Sequence, residues 1–424
     1  MHASRPVKVL TLILAACAFV PVARSSSPPE NEFLLHSFDY TDGTNPHGAV
    51  FIYPAGYFLG TTSQDGPTGA GTVYQLSPNG IGGWGYEVAY NFCSVPGCSD
   101  GISPQSGLII DSAGNLYGTT SMGGDSSNLN CGHGCGVVYE LTTNGGVWTE
   151  TVLYAFSGGS DGATPISSLA MDSAGNIYGT TSAGGVSSIY CAQGCGVLFT
   201  LRRGSDGTWT QKVLHAFCSV SGCIDGAIPN GVAVDAAGNL YCTTAEAGRY
   251  GGGTLLQVTA RAKGGWTGKL LHSFGKGSDG VSPNPGLAFD ALGDVYGTTN
   301  RGGSQNSGIA FEMTLDSNHQ WIEKNLHTFC SALNCTEGGV PLAGLTIDSR
   351  GRLFGSTSIG GTGQLGTLYM LEQYARDHWN DSPIYSSVSG NFDNPVTLDA
   401  SGNLFTTTTI GGTFNVGSAI EVIY

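Results

Sequence analysis

Large apolar residues alternate with small or polar ones in short runs that return about every 50 to 60 residues. One such run is Gly107–Asp111, in which Leu108 and Ile110 are the large apolar positions. A period of two is typical of a β-strand, because successive side chains point to opposite faces of the sheet. We call the strand predicted from this run strand a.

A ten-residue phrase, Asp-x-x-Gly-Asn-Leu-Tyr-Gly-Thr-Thr, follows strand a and predicts a hairpin turn and a second strand, strand b. Gly114 stands where the turn needs a left-handed backbone. Such fixed-period self-similarity indicates a repeat architecture in which each copy packs on its neighbours. The phrase is clear at Asp111–Thr120 and Asp172–Thr181 and altered at Asp235–Thr244, Asp290–Thr299, Asp348–Thr357, Asp399–Thr408 and Tyr53–Thr62.

Two further strands complete each repeat. Strand c is predicted at Gly136–Leu141 and its equivalents, and strand d runs from a tryptophan to a phenylalanine eight residues later, as in Trp148–Phe156. The chain ends on a strand c at Ser418–Tyr424, whereas Phe33–Phe38 reads as a strand d without a sheet. Pairing these two segments closes a ring and removes its exposed edges. The sequence therefore predicts an all-β, seven-bladed β-propeller with four antiparallel strands per blade.

Composition agrees with short strands and tight turns rather than helices. Of the 424 residues, 11% are charged and 68 are glycine, which supplies the backbone angles of turns. The repeats follow one another without a linker, so residues 30–424 are expected to form one propeller domain. A monomer without a cofactor is expected.

The first 25 residues have the pattern of an export signal. Basic Arg5 and Lys8 precede an apolar run and then small residues. Ala23-Arg24-Ser25 suits ordinary signal cleavage, whereas Leu14-Ala15-Ala16-Cys17 suits a lipoprotein site that would anchor the chain through Cys17. The prediction is a secreted, periplasmic or cell-surface protein, and no later segment is apolar enough to span a bilayer.

Charge argues against nucleic acid as a partner. Without residues 1–25 the chain carries 13 basic and 31 acidic groups, a net charge of −18. A surface of this sign repels nucleic acid and anionic lipid.

Ten cysteines form five close pairs, which in an exported chain predict local disulfides. Zinc is the weaker alternative, since no histidines stand at matched spacing. Cys242, at a Gly position of the phrase, is expected to be a buried free thiol. The predicted pairs are Cys93 with Cys98, Cys131 with Cys135, Cys191 with Cys195, Cys218 with Cys223, and Cys330 with Cys335.

The phrase Gly-Asn-Leu-Tyr-Gly-Thr-Thr with its following Gly-Gly resembles the Gloeobacter/Verrucomicrobia-type (GloVer) repeats of choice-of-anchor tandem-repeat proteins. The layout around it is also similar to NHL and gluconolactonase-like propellers. The resemblance covers residues 33–424 and implies export and a propeller, but no particular reaction. Cys242 and Thr406 depart from the pattern by replacing a glycine.

Carboxylates in the loops between strand d and the next strand a are the first candidate ligand-binding groups. They can ring the central axis and bind a cation, or cap the loop backbone while the following proline fixes the start of strand a. Because a copy occurs in nearly every blade, we favour the structural interpretation. These candidates are Asp100, Asp161, Asp225 and Asp279, and Asp42 has the same pattern.

Histidines and tryptophans also repeat. His36, His215, His272 and His327 share one strand-d position with tyrosines of other blades, which favours packing over metal ligation. The six tryptophans all start a strand d, which favours a structural anchor over a sugar-stacking rim. His133, between Cys131 and Cys135, is the one histidine in an unusual setting and a candidate ligand contact.

Two functions remain open. Antiparallel strands place the d–a and b–c loops, with all five cysteine pairs, at one end of the ring, where a rigid scaffold can present a binding surface. The favoured function is a non-enzymatic binding or surface module for a glycan or protein partner. The alternative is a carbohydrate-active lyase or hydrolase, or a lactonase-like metalloenzyme, with carboxylates converging at the channel mouth.

Overall fold

The computed structural model describes residues 31–80, 83–125, 131–375 and 378–424. Their strands form seven separate antiparallel sheets, and each hydrophobic cluster joins residues of neighbouring sheets. These ranges contain no α-helix and no helix that could cross a membrane, only the 3-10 turns Pro96–Cys98, Ser221–Cys223 and Leu333–Cys335. The predicted seven-bladed, all-β propeller is confirmed. The predicted signal at residues 1–25, with Cys17, lies outside the described residues.

The strands follow one another blade by blade along the chain. After β1 (Glu32–Ser37), blade 1 has β2 (Thr44–Ile52), β3 (Phe58–Gln64), β4 (Thr72–Pro78) and β5 (Trp84–Asn91), and blade 2 has β6 (Ile102–Pro104), β7 (Ile109–Ile110), β8 (Leu116–Met122), β9 (Val137–Asn144) and β10 (Val147–Ala155). Blade 3 has β11 (Ala170–Met171), β12 (Ile177–Thr181), β13 (Val197–Arg203) and β14 (Trp209–Ala216), and blade 4 has β15 (Ala227–Val234), β16 (Leu240–Glu246), β17 (Thr254–Ala260) and β18 (Trp266–Ser273). Blade 5 has β19 (Gly280–Pro283), β20 (Ala288–Phe289), β21 (Val295–Gly302), β22 (Ile309–Leu315) and β23 (Trp321–Thr328). Blade 6 has β24 (Thr346–Ile347), β25 (Leu353–Ser356), β26 (Thr367–Ala375) and β27 (His378–Ser386), and blade 7 has β28 (Thr397–Leu398), β29 (Leu404–Thr408) and β30 (Ser418–Val422).

The N-terminal strand closes the ring. β1 pairs antiparallel with β30, from Glu32 opposite Val422 to Ser37 opposite Ser418, and so becomes the outer strand of blade 7. Phe38, at its end, is fully buried in a cluster that joins blades 7 and 1. The predicted closure is therefore confirmed.

The aspartate of the repeated phrase holds the a–b turn together. Asp111 Oδ1 accepts hydrogen bonds from the amides of Ala113 and Asn115 at 2.8 and 2.9 Å. Its Oδ2 accepts from Asn115 Nδ2 and from the Tyr117 hydroxyl, while Gly114 adopts φ +91°. Asp172 and Asp235 make the same contacts, so the phrase repeats because it folds a turn.

The glycine of Gly-Thr-Thr leaves room for an aromatic ring on strand c. A Cβ on Gly118 would lie 2.3 Å from the Tyr139 hydroxyl, which faces it across β8 and β9. Where Cys242 replaces this glycine, the facing residue is the smaller Leu256. The larger side chain on strand b is thus accompanied by a smaller one on strand c. Cys242 is a buried free thiol, as predicted.

The innermost strand begins earlier than predicted. The sequence places strand a of blade 4 at Gly231–Asp235, but β15 spans Ala227–Val234 and includes Pro229. An innermost strand pairs on one side only, so a proline without an amide hydrogen is tolerated there. The prolines therefore lie within strand a in four blades: Pro46, Pro104, Pro229 and Pro283.

Candidate functional site

A cavity of about 200 Å³ lies on the axis and is lined by residues of all seven blades. Its ionisable lining groups are His47 and Asp393, from blades 1 and 7. Burial lowers the pKa of His47 and raises that of Asp393, so both favour their neutral forms. The side-chain amide of Asn394 donates to Pro46 O and Thr407 Oγ1. With a single carboxylate in the lining, this donor set does not fit a carboxylate-ligated axial metal.

The d–a and b–c loops lie at one end of the ring, as predicted. The amide of a b–c loop glycine donates to a carbonyl of the preceding d–a loop, as Gly124 does to Cys98 O at 3.0 Å. Gly248 donates to Cys223 O and Gly361 to Cys335 O in the same way. We call this end the loop face.

All five predicted cysteine pairs are disulfides on the loop face. The bridges of Cys191–Cys195 and Cys218–Cys223 are adjacent, and three of their sulfur atoms lie within 4.8 Å of one another. The b–c loop of blade 3 is thereby packed against the d–a loop that follows it. Rigid loops lose less entropy on binding, which suits a preformed surface.

His133 is exposed and lines an open groove of about 470 Å³ between blades 2 and 3. The same groove contains Gln193 and Thr164, and Cys131 forms part of its wall. The structure thus places the predicted histidine in a concave, polar part of the loop face.

The four candidate aspartates do not line the axial cavity. Asp100 Oδ2 accepts hydrogen bonds from Ser94 N, Ser94 Oγ and the Tyr90 hydroxyl, and Asp161 makes equivalent contacts with Ser157 and Tyr154. Asp225 accepts from Ser219 N, and Asp279 from Gly280 N. These are the capping contacts of the structural interpretation.

The d–a loop aspartates also explain why one position of strand d is either histidine or tyrosine. His36, His215 and His272 bond through Nε2 to the d–a loop aspartate at 2.6–3.0 Å, and Tyr90 and Tyr154 use their hydroxyls at 3.0 Å. Each ring also packs edge-on against the phenylalanine two residues on, as His272 does on Phe274. Packing alone was predicted, so this bond to the aspartate was missed.

The following blade contributes a third group beside the strand-d histidine or tyrosine and its d–a loop acid. It lies two residues after the tryptophan that starts strand d, and it is acidic at Glu150, Glu323 and Asp381. We call each set of strand-d His or Tyr, d–a loop acid and following-blade acid a junction trio. The constant spacing from Trp was visible in the sequence, as was Glu337-Gly338, which occupies the Asp-Gly position. The junction trios are Tyr90, Asp100 and Glu150; His272, Asp279 and Glu323; and His327, Glu337 and Asp381.

Stability is expected to depend on pH through Glu150. Burial, with the nearby Asp100 charge, raises the pKa of Glu150 to about 8. An acid whose pKa is raised on folding costs stability as pH rises from its unfolded value near 4.5 to about 8, and costs nothing below 4.5. The melting temperature of Glu150→Gln should therefore exceed that of the wild type at pH 8.5, and this advantage should shrink toward pH 4.5. Scanning calorimetry in the presence of a metal chelator measures both melting temperatures, and a difference between them that stays constant across pH would contradict this prediction.

The tryptophans join neighbouring blades. Trp209 meets Tyr117, Trp266 meets Tyr178 and Trp321 meets Tyr241, all edge-on with ring centroids 6.0–6.3 Å apart. None of the six is exposed. This supports the structural anchor rather than a rim of sugar-stacking rings.

The sequence comparison identifies the repeat. The family model of the Gloeobacter/Verrucomicrobia repeat matches residues 25–222 and 185–420. The chain belongs to the Gloeobacter/Verrucomicrobia repeat family. Among curated proteins, no significant match to this family member is found.

Solved structures similar to this Gloeobacter/Verrucomicrobia repeat protein show the fold alone. A Lactobacillus plantarum protein aligns over 83% of this chain and 88% of its own, with 13% identity and a TM-score of 0.54. A chain of a mitotic checkpoint complex aligns over 99% of both chains, with 12% identity and a TM-score of 0.53. A gluconolactonase of Xanthomonas campestris covers 80% of this chain and 88% of its own at 15% identity, with a TM-score of 0.42.

Proposed function

We propose that this repeat propeller is an extracytoplasmic, non-enzymatic binding module whose loop face binds a protein partner. The observation that carries the proposal is the exposure of apolar side chains at the tips of these disulfide-braced loops. Ile189 is 94% exposed and Leu333 is 84% exposed, and both stand beside disulfides. Apolar groups held rigidly at a surface are typical of protein interaction sites. Further exposed apolar residues on this face are Val95, Val186, Tyr190, Val220, Ile224, Tyr250, Ile359, Ile410 and Phe414.

Export is part of the proposal. Five disulfides fit an oxidising compartment. The sequence pattern of residues 1–25 supplies a route to it, through ordinary secretion or through an anchor on Cys17. Cell fractionation and palmitate labelling of the full chain distinguish the two routes, and the Cys17→Ser variant is the control.

The binding test compares two ends of the same molecule. We expect Ile189→Ser with Leu333→Ser to weaken capture of an extracytoplasmic partner by about tenfold or more, since central apolar anchors contribute the most binding energy. Leu292→Ser is the matched control, because Leu292 is 88% exposed in the a–b turn of blade 5, at the opposite end. Capture on immobilised propeller, followed by interferometry with the captured protein, measures the effect. Equal capture by both variants would refute a loop-face interface.

A glycan is the second candidate, and the His133 groove favours it. Its lining combines an imidazole, the Gln193 amide and the Thr164 hydroxyl, which are groups that hydrogen-bond sugars. An array of cell-envelope polysaccharides tests it directly. Binding that is lost in His133→Ala and retained in the Ile189 and Leu333 variant assigns the groove to a glycan.

A further inference from the structure

We propose that the two junctions flanking blade 5 each bind a divalent transition-metal ion of the Zn²⁺ or Mn²⁺ class. The ligands are His272, Asp279 and Glu323 at the junction of blades 4 and 5. At the junction of blades 5 and 6 they are His327, Glu337 and Asp381. Both trios lie at the outer edge of the ring, away from the axial cavity, and the inference is independent of partner binding by the loop face.

The first trio has the geometry of an ion site. One ligand atom from each of His272, Asp279 and Glu323 lies within 4.8 Å of the others. His272 Nε2 is 2.9 Å from Asp279 Oδ2, whereas the buried Glu323 Oε1 has no hydrogen-bond partner among the described residues. Small side-chain movements bring such atoms to about 2.0–2.2 Å from a common ion, the distances at which Zn²⁺ is held.

The second trio has a buried carboxylate oxygen without a partner. Glu337 is 6% exposed, and its Oε1 accepts hydrogen bonds from Ser331 Oγ and Ala332 N. Its Oε2 is left unpartnered, as are His327 Nε2 and Asp381 Oδ1 in the described part of the chain. The ligand atoms of this trio are spread more widely than the 4.8 Å of the first trio. Buried polar atoms are almost always satisfied, so these three unpaired groups, which come from three elements, favour a bound ion that draws them together.

The electrostatics favour a cation. Asp381 lies close enough to Glu337, and Glu323 to Asp279, for the two carboxylates of each pair to interact electrostatically. A divalent ion at either junction neutralises two carboxylates that otherwise repel each other.

The donor set selects the class of metal. An imidazole nitrogen with carboxylate oxygens suits Zn²⁺, Mn²⁺ and related ions, whereas Ca²⁺ and Mg²⁺ prefer oxygen ligands throughout. An ion can reach the first trio through an open groove of about 480 Å³. The cationic groups lining that groove are Arg249 and Lys276, and Lys276 Nζ lies over the Tyr250 ring at 5.7 Å.

Other junctions of the same chain are natural controls. The junction of blades 3 and 4 keeps His215 and Asp225, but Gly268 stands at the position of the third ligand. The junction of blades 2 and 3 has Tyr154 and Asp161 with Gln211, and therefore lacks both an imidazole and a second acid. Neither is expected to bind a transition metal.

Titration calorimetry of untagged, chelator-stripped propeller with ZnCl₂ and MnCl₂ tests the proposal. We expect two sites per chain, one site in Glu323→Gln and none in Glu323→Gln with Asp381→Asn. Both substitutions preserve shape and remove a buried charge, so folding is retained and circular dichroism checks it. No saturable binding by the wild type, or an unchanged number of sites in the double variant, would overturn the proposal.

A gain of binding makes the test sharper. Gly268→Glu completes a trio with His215 and Asp225 and should add a third site. Gln211→Glu adds the same charge beside Tyr154 and Asp161 without an imidazole and should add none. Equal gains in both variants would show that carboxylate charge alone attracts the ion and would refute the assignment of histidine as a ligand.

Discussion

Deleting residues 31–38 is expected to leave blade 7 without its outer strand and to abolish the closed ring. The deletion removes the whole pairing of β1 with β30 and exposes the edge of β30 to other chains. It also empties the position of Phe38, which is fully buried between blades 7 and 1. Size-exclusion chromatography should show aggregated or expanded protein, and a synthetic peptide of residues 31–42 should restore the elution volume of the wild type. A deletion variant with wild-type elution and melting temperature would contradict the role of β1.

A single substitution separates packing from strand pairing. Phe38→Ala is expected to lower the free energy of unfolding by about 3–5 kcal/mol, because it removes a fully buried ring and leaves a cavity. Phe33→Ala is the matched control within the same segment, since Phe33 is 45% exposed, and its effect should be far smaller. Urea unfolding of both variants measures the difference. Equal losses would show that Phe38 does not anchor the closure.

Gly118→Cys is expected to destabilise the propeller by about 1–3 kcal/mol or more, because the added side chain overlaps the Tyr139 ring. A Cβ at this position would lie 2.5 Å from Tyr139 Cζ. In blade 4 the cysteine at the equivalent position, Cys242, faces the smaller Leu256. Adding Tyr139→Leu to Gly118→Cys should therefore recover part of the loss, although Tyr139→Leu alone opens a cavity.

A double-mutant cycle measures this recovery. The two substitutions should show a favourable coupling of about 1–3 kcal/mol in the free energy of unfolding, as expected for residues in direct contact. Gly85→Cys is the control, because a Cβ there would meet only Ser77 O at 3.7 Å, and its effect should add to that of Tyr139→Leu. An additive result at Gly118 would mean that the ring moves aside and that the pairing of small with large residues is not required.

The fold was predictable from the sequence to an unusual degree, because every element occurs in seven similar copies. The phrase at Asp111–Thr120 fixes a strand, a turn and another strand through hydrogen bonds within a few residues. Closure was predictable from the unpaired segment at residues 33–38. The start of strand a was not, because a proline such as Pro229 normally marks a strand boundary, and it is tolerated within β15 because an innermost strand pairs on one side only.

The candidate site was predicted in outline only. The loop face and its disulfides follow from the order of the strands, and His133 does line a groove there. The junction trios were missed, although the constant spacing of their third group from the strand-d tryptophan could be read from the sequence. Glu323 stands 44 residues after Asp279 in the sequence, and nothing local indicates that the two approach each other.

Short-range rules were therefore sufficient for strands, turns, disulfide pairs and the number of blades, since each depends on residues close together in the chain. How one blade packs on the next depends on contacts between side chains of different repeats, and the repeat pattern does not predict the distances between these side chains. It is this packing between blades that leaves a single carboxylate on the axis, gathers the acids at the outer junctions, and buries the tryptophans. The places where chemistry can occur in this propeller are set by contacts between blades, while the blades themselves are set by their own residues.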